Sequence, residues 1–160
     1  MTNSKTLALS GRKAIALTQF VIFVLIATYA PLLRQQMITG PIVNATLFLS
    51  TIYLGSQAGI MVGLIPSIIS LSVGLLPLAL TPMVPFIMVS NAILILTFSY
   101  LKNKNFWLAM VTASIFKFAF LYTISFHIAQ KLAFMMGIPQ LVTALSGGAI
   151  AFAIIKTYDR

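Results

Sequence analysis

Lys117 is the residue whose position demands a chemical explanation. It sits within the apolar run from Phe106 to about Ala129, about 10 residues beyond Trp107, or about 15 Å along a helix. That depth is near the midplane of a hydrocarbon core about 30 Å thick. A central lysine costs about 2.5 to 3.5 kcal/mol even on lenient insertion scales, so such residues either bind something or are held by polar groups of the protein. The only acid in the chain is Asp159, too close to the C-terminus to serve as a partner. Two readings follow. Lys117 either receives an anion from outside the chain, or it bonds helix-end carbonyls and lines a wet cavity without touching a solute.

Other polar side chains fall at compatible depths: Asn44, Asn91, Tyr122, and Gln140 with Thr143. Asn44 and Asn91 serve equally well as solute contacts or as hydrogen-bonding glue between helices. Arg34, Gln35 and Gln36 form a polar cluster that either meets an arriving solute or makes a solvated turn. On a helical wheel the Lys117 face also carries Ser114, Phe120, Leu121 and, further round, His127.

Other chemistries are missing from the sequence. With no cysteine and one histidine, His127 has no companions for a metal site or a catalytic dyad, and an interfacial packing role suits it better. No phosphate-binding glycine loop, serine elbow or carboxylate pair is present. The expectation is a protein that is not an enzyme and holds no cofactor or metal.

The elements that must position these residues are membrane helices. Sixty per cent of the chain is hydrophobic and 7% charged, about a third of the charge of a soluble domain. The net charge of +9 is gathered in short clusters between apolar runs, a pattern that suits anionic lipid and not nucleic acid. Residues 1–160 read as a single all-α integral-membrane domain, a bundle of about six transmembrane helices spanning about 14–33, 37–54, 58–76, 85–101, 106–129 and 138–155. Pro41 and Pro85 fall close to the starts of the second and fourth spans and shorten them. The first run is too long for a signal-peptide core and is expected to be retained as a helix.

Charge asymmetry orients the bundle. With both termini inside, Lys5, Arg12, Lys13, Lys102, Lys104, Lys156 and Arg160 lie on the inner face, and only Arg34 and Lys131 on the outer. Omitting one short span would put Lys102 and Lys104 opposite the N-terminal cluster. Gly55, Gly59 and Gly63 predict a close helix contact, as do Gly147 with Ala151, Ala149 with Ala153, and Ala109 with Ala113. Each pair is either an internal seam or a surface for another subunit. The methionines and the aromatic run through Phe116, Phe118, Phe120 and Tyr122 are expected to pack.

The six-helix chain resembles the substrate-binding S components of energy-coupling factor (ECF) vitamin importers. The resemblance is carried by its size, its inside termini and several stretches: Thr39-Gly40-Pro41-Ile42-Val43-Asn44, Leu54-Gly55-Ser56-Gln57-Ala58-Gly59, Pro82-Met83-Val84-Pro85-Phe86, Phe116-Lys117-Phe118 and Ser146-Gly147-Gly148. It implies a protein of the bacterial inner membrane that captures a vitamin or related micronutrient in a pocket opening outward. Its partners would be a transmembrane scaffold subunit and two cytosolic ATPases, which would hydrolyse the ATP. The family's Ala-xxx-Ala docking motif on the first helix has Ala14 and Thr18 as its nearest match here, a departure at the docking surface. Joined to the midplane Lys117 and to Arg34, the resemblance makes an anionic solute the expected ligand, with Lys117 as countercharge. Asn91, Tyr122 and Gln140 would orient it, and the segment around Arg34 to Gln36 would act as a gate. The rival reading is a pocketless membrane scaffold of the cell-shape MreD type, whose buried polar residues would face partner helices.

Overall fold

The computed structural model describes the backbone of residues 2–74, 78–128 and 130–158, and the side chains of 11–74, 81–128 and 130–158. Ala129, Leu75 to Pro77, Asp159 and Arg160 lie outside the described residues, as does the side chain of Lys5. The described chain is all-helical: α1 (Thr2–Tyr29), α2 (Gln36–Tyr53), α3 (Ser56–Ser72), α4 (Val84–Leu101), α5 (Phe106–Ile128), the short α6 (Ala133–Met136) and α7 (Ile138–Tyr158). Four stretches are long and apolar enough to cross a membrane: Gly11–Leu33, Thr81–Leu101, Phe106–Ile128 and Gln130–Tyr158. Between the first two of these, α2 is 18 residues long and α3 is 17.

Local chemistry sets the boundaries. After α1, Pro31 opens a 3-10 turn that ends at Arg34, whose left-handed φ of 53° reverses the chain. Gly55, at φ 88°, makes the sharp break between α2 and α3 and has open space around it, because a residue with a Cβ adopts that conformation only with strain. Asn105 caps α5 by accepting the Leu108 N–H at 3.1 Å, the bond expected from an N-cap side chain. Lys102 donates to the Thr51 carbonyl at 2.9 Å and so satisfies one of the carbonyls left open in the last turn of α2. Pro41 and Pro66 sit inside α2 and α3; the helix continues through Pro41, and α2 over Gln36–Tyr53 lies within one residue of the expected 37–54.

The successive helices α1 to α5 pack on one another, and α7 returns to pack against α2. Glycines allow that approach. A Cβ on Gly147 would lie 2.6 Å from Asn44 Cβ and 2.8 Å from the Pro41 carbonyl, and one on Gly40 would strike Thr143. Gly148 is covered by Met110, Gly59 by Thr51 and Gly63 by Asn91. The seams at Gly59 and Gly63, Gly147 with Ala151, and Ala109 with Ala113 are therefore internal, whereas Gly55 makes no close contact, serving the turn instead, and Ala149 and Ala153 are exposed.

The bundle is inverted relative to a water-soluble protein. Large apolar side chains cover its outside, among them Leu17, Leu96, Phe116 and, at 80% exposure, Phe134, while Lys117, Asn44 and Asn91 are buried. Its two halves differ. Toward the end that holds the 102–105 turn, Phe48, Phe98 and Phe106 interlock edge to face at 4.8 and 5.5 Å above Leu47, Val62, Leu94 and Ile95, a geometry aromatic rings favour. Toward the other end the helices part and leave a cavity.

Candidate functional site

The cavity measures about 570 Å³, within the range of small-molecule sites. It lies among α1, α2, α3, α4, α5 and α7, at the end of the bundle where Arg34 and α6 are found. Small residues on α3 create the room. Gly63, Ser67 and Ser70 line the cavity and their spacing places them along one face of the helix, and Gly74, just past its end, lines it too.

Lys117 stands in its wall, 3% exposed. Its Nζ donates to Asn44 Oδ1 at 2.7 Å and to Asn91 Oδ1 at 2.8 Å. The asparagines are held in turn. Asn91 Nδ2 donates to the Gly63 carbonyl across to α3 at 3.1 Å, and Asn44 Nδ2 to the Gly40 carbonyl one turn back at 2.9 Å. Lys117 thus joins α2 and α5 through Asn44, and α3, α4 and α5 through Asn91. An ammonium has three protons to donate, and protein oxygens take two of them here. Both acceptors are neutral amides, and no carboxylate exists among the described residues. In its protonated form Lys117 is solvated by dipoles and has no carboxylate among the described residues to neutralise it.

Of the residues singled out in the sequence, Lys117, Asn44, Asn91, Gln140 and Arg34 all line this cavity. Gln35 and Gln36 join them, and Gln36 Nε2 donates to the Met135 carbonyl at 3.0 Å, tying the start of α2 to α6. Gln140 makes one long contact, to Met136 Sδ at 3.9 Å. Thr143 instead donates to the Gln140 carbonyl and packs on Gly40.

Tyr122 and His127 are placed elsewhere. Tyr122 is on the outer side of α5, stacked on Phe118 at 5.8 Å and followed by Phe126, where it borders a separate recess of about 470 Å³ with Phe134 and Gly137. His127 is exposed and meets the edge of Phe126 at 5.7 Å. The residue numbers explain the division: Tyr122 is five positions from Lys117, and at 3.6 residues per turn that is a rotation of about 140°. Ser67, Ser70 and the Met135–Met136 pair also line the cavity, though nothing in their local sequence marks them as site residues. The period-four run of small residues on α3 extends to Ser67 but not to Ser70, and it reads equally well as a packing seam.

No protein-family model, curated protein or solved structure matches the chain.

Proposed function

We propose that this chain captures a small anionic solute from outside the cell, as the substrate-binding subunit of an importer of the energy-coupling factor type. The single observation that carries this reading is the Lys117 side chain, buried in a cavity wall with two amide oxygens on its Nζ and no third acceptor among the described residues. A buried cation without a countercharge is costly, and an entering carboxylate or similar anion relieves that cost with a charge-assisted bond. In this reading all six long helices span the inner membrane of a bacterium, with both termini inside. At 1.5 Å per residue, α2 and α3 reach about 25 Å each, enough for a locally thinned core. Lys13, Lys102, Lys104 and Lys156 then face the cytoplasm, as the positive-inside rule requires. Arg34 and the cavity mouth face outward, and the Phe48, Phe98 and Phe106 plug closes the inner half. The chain is not itself an enzyme: ATP hydrolysis belongs to two cytosolic ATPases, which act through a transmembrane scaffold subunit. A vitamin or related micronutrient is the expected class of solute.

Native mass spectrometry of the gently purified protein tests this. A co-purifying anionic metabolite that is absent from Lys117→Met is the expected result. An empty wild-type protein, unshifted in thermal stability by any of a broad panel of anionic vitamins, would refute solute capture and favour a membrane scaffold.

A further inference from the structure

Ser70 behaves differently from every other buried hydroxyl among the described residues. Thr28, Thr46, Ser50, Thr51, Ser90, Ser114, Ser125 and Thr143 each donate to a backbone carbonyl three or four positions earlier in their own helix. That local bond is the usual way a helical serine or threonine satisfies itself away from water. Ser70 is 2% exposed, its Oγ has no hydrogen-bond partner, and it lines the same cavity as Lys117. A buried hydroxyl left unpaired in a well-formed helix calls for an explanation, and a partner that enters the cavity provides one.

The helix sets the distance between the two polar points. Asn91 holds the Gly63 carbonyl and the Lys117 ammonium at once, which puts Gly63 at the level of Lys117. Ser70 lies seven residues further along α3, or about 10 Å by helical rise, toward the mouth. The wall between them joins the apolar Pro66, Ile87 and Met136 with the single hydroxyl of Ser67. A cationic point, a mostly apolar stretch and a neutral hydroxyl follow one another along the cavity.

We infer that Ser70 is a second recognition point, and that the solute is an elongated amphiphile with an anionic group at Lys117 and a neutral hydrogen-bonding group about 10 Å away at Ser70. This rests on the solute-capture reading of Lys117 and adds the length and the far-end chemistry of the solute. Hydroxyl, amide and ring-nitrogen ends are all compatible, since a serine both donates and accepts. A second carboxylate is not required there.

The test uses the full-length protein in detergent and three probes: 8-hydroxyoctanoate, octanoate, and 3-hydroxypropanoate as a hydroxy acid too short to reach both points. Affinities are measured by calorimetry for wild type, Ser70→Ala and Lys117→Met. Wild type is expected to bind 8-hydroxyoctanoate about 3- to 10-fold more tightly than octanoate, the value of one net hydrogen bond, and to bind 3-hydroxypropanoate weakest. Ser70→Ala is expected to lose that preference, keep its affinity for octanoate and unfold no earlier than wild type, because its hydroxyl supports no other group. If both long probes bind wild type equally and Ser70→Ala changes neither, the Ser70 assignment is wrong while Lys117 stands. If no probe binds wild type, or all bind Lys117→Met as well as wild type, the anion reading falls and the Ser70 assignment with it.

Discussion

Replacing Asn91 by Leu should destabilise the protein in a way that a second substitution, Lys117→Met, largely repairs. Asn91 makes two bonds that Leu cannot: it accepts from Lys117 at 2.8 Å and donates to the Gly63 carbonyl at 3.1 Å. Hydrogen bonds between neutral groups in membrane proteins average about 0.6 kcal/mol, so the bond to Gly63 contributes little. The bond to the charged donor is worth about 1.5 to 3 kcal/mol, and its loss leaves the buried ammonium with Asn44 as its sole protein acceptor. The sum is about 2 to 4 kcal/mol, or roughly 5 to 15 °C in Tm for a chain of this size. Lys117→Met alone removes the two bonds to the asparagines, but it also removes several kcal/mol of ion desolvation, so in the absence of solute it should lie near wild type. The double variant should recover most of the Asn91→Leu loss, a coupling of about 1 to 3 kcal/mol as expected for groups in direct contact. Thermal unfolding of the four proteins in the same detergent, without added solute, measures the cycle. If the two single effects simply add, the ammonium is not the group that Asn91 stabilises, and the reasoning about an unneutralised charge fails with it.

Gly147→Leu should prevent stable folding, because even a Cβ would fall 2.6 Å from Asn44 Cβ and 2.7 Å from the Ala45 nitrogen; loss of the monodisperse peak in size-exclusion chromatography checks this, and a normal peak would contradict the tight α2–α7 seam. The absence of native cysteine allows single-cysteine topology mapping: Arg34→Cys should react with an impermeant maleimide added outside intact cells, and Lys104→Cys only after permeabilisation. The same labelling from both positions would overturn the six-span orientation. Gln36→Ala, which removes the bond to the Met135 carbonyl, should speed both association and dissociation of a bound solute by several-fold with little change in Kd, the signature of a loosened gate in stopped-flow measurements; a change in Kd alone would place Gln36 in the binding surface instead.

The apolar runs alone were enough to expect helices able to cross a membrane, since backbone groups in lipid must bond within their own segment, and four such helices are found among the described residues. The helix ends were legible too, at Gly55, at Asn105 and on either side of the 102–105 turn, because they depend on local chemistry: a glycine at positive φ and a side-chain cap. Lys117 stood out for the same reason, as a charge within an apolar run is costly wherever the run folds. What the sequence could not supply was direction. Tyr122 and Lys117 are near neighbours in the chain and point to different sides of α5, whereas Asn44 lies 73 positions from Lys117 and is bonded to it. Only the packing of α2 against α7, and of α4 against α5, brings both asparagine oxygens to one ammonium. Ser70 depended most on tertiary structure. Eight buried hydroxyls bond back to their own helices, and the ninth differs in lining a cavity that no described side chain fills.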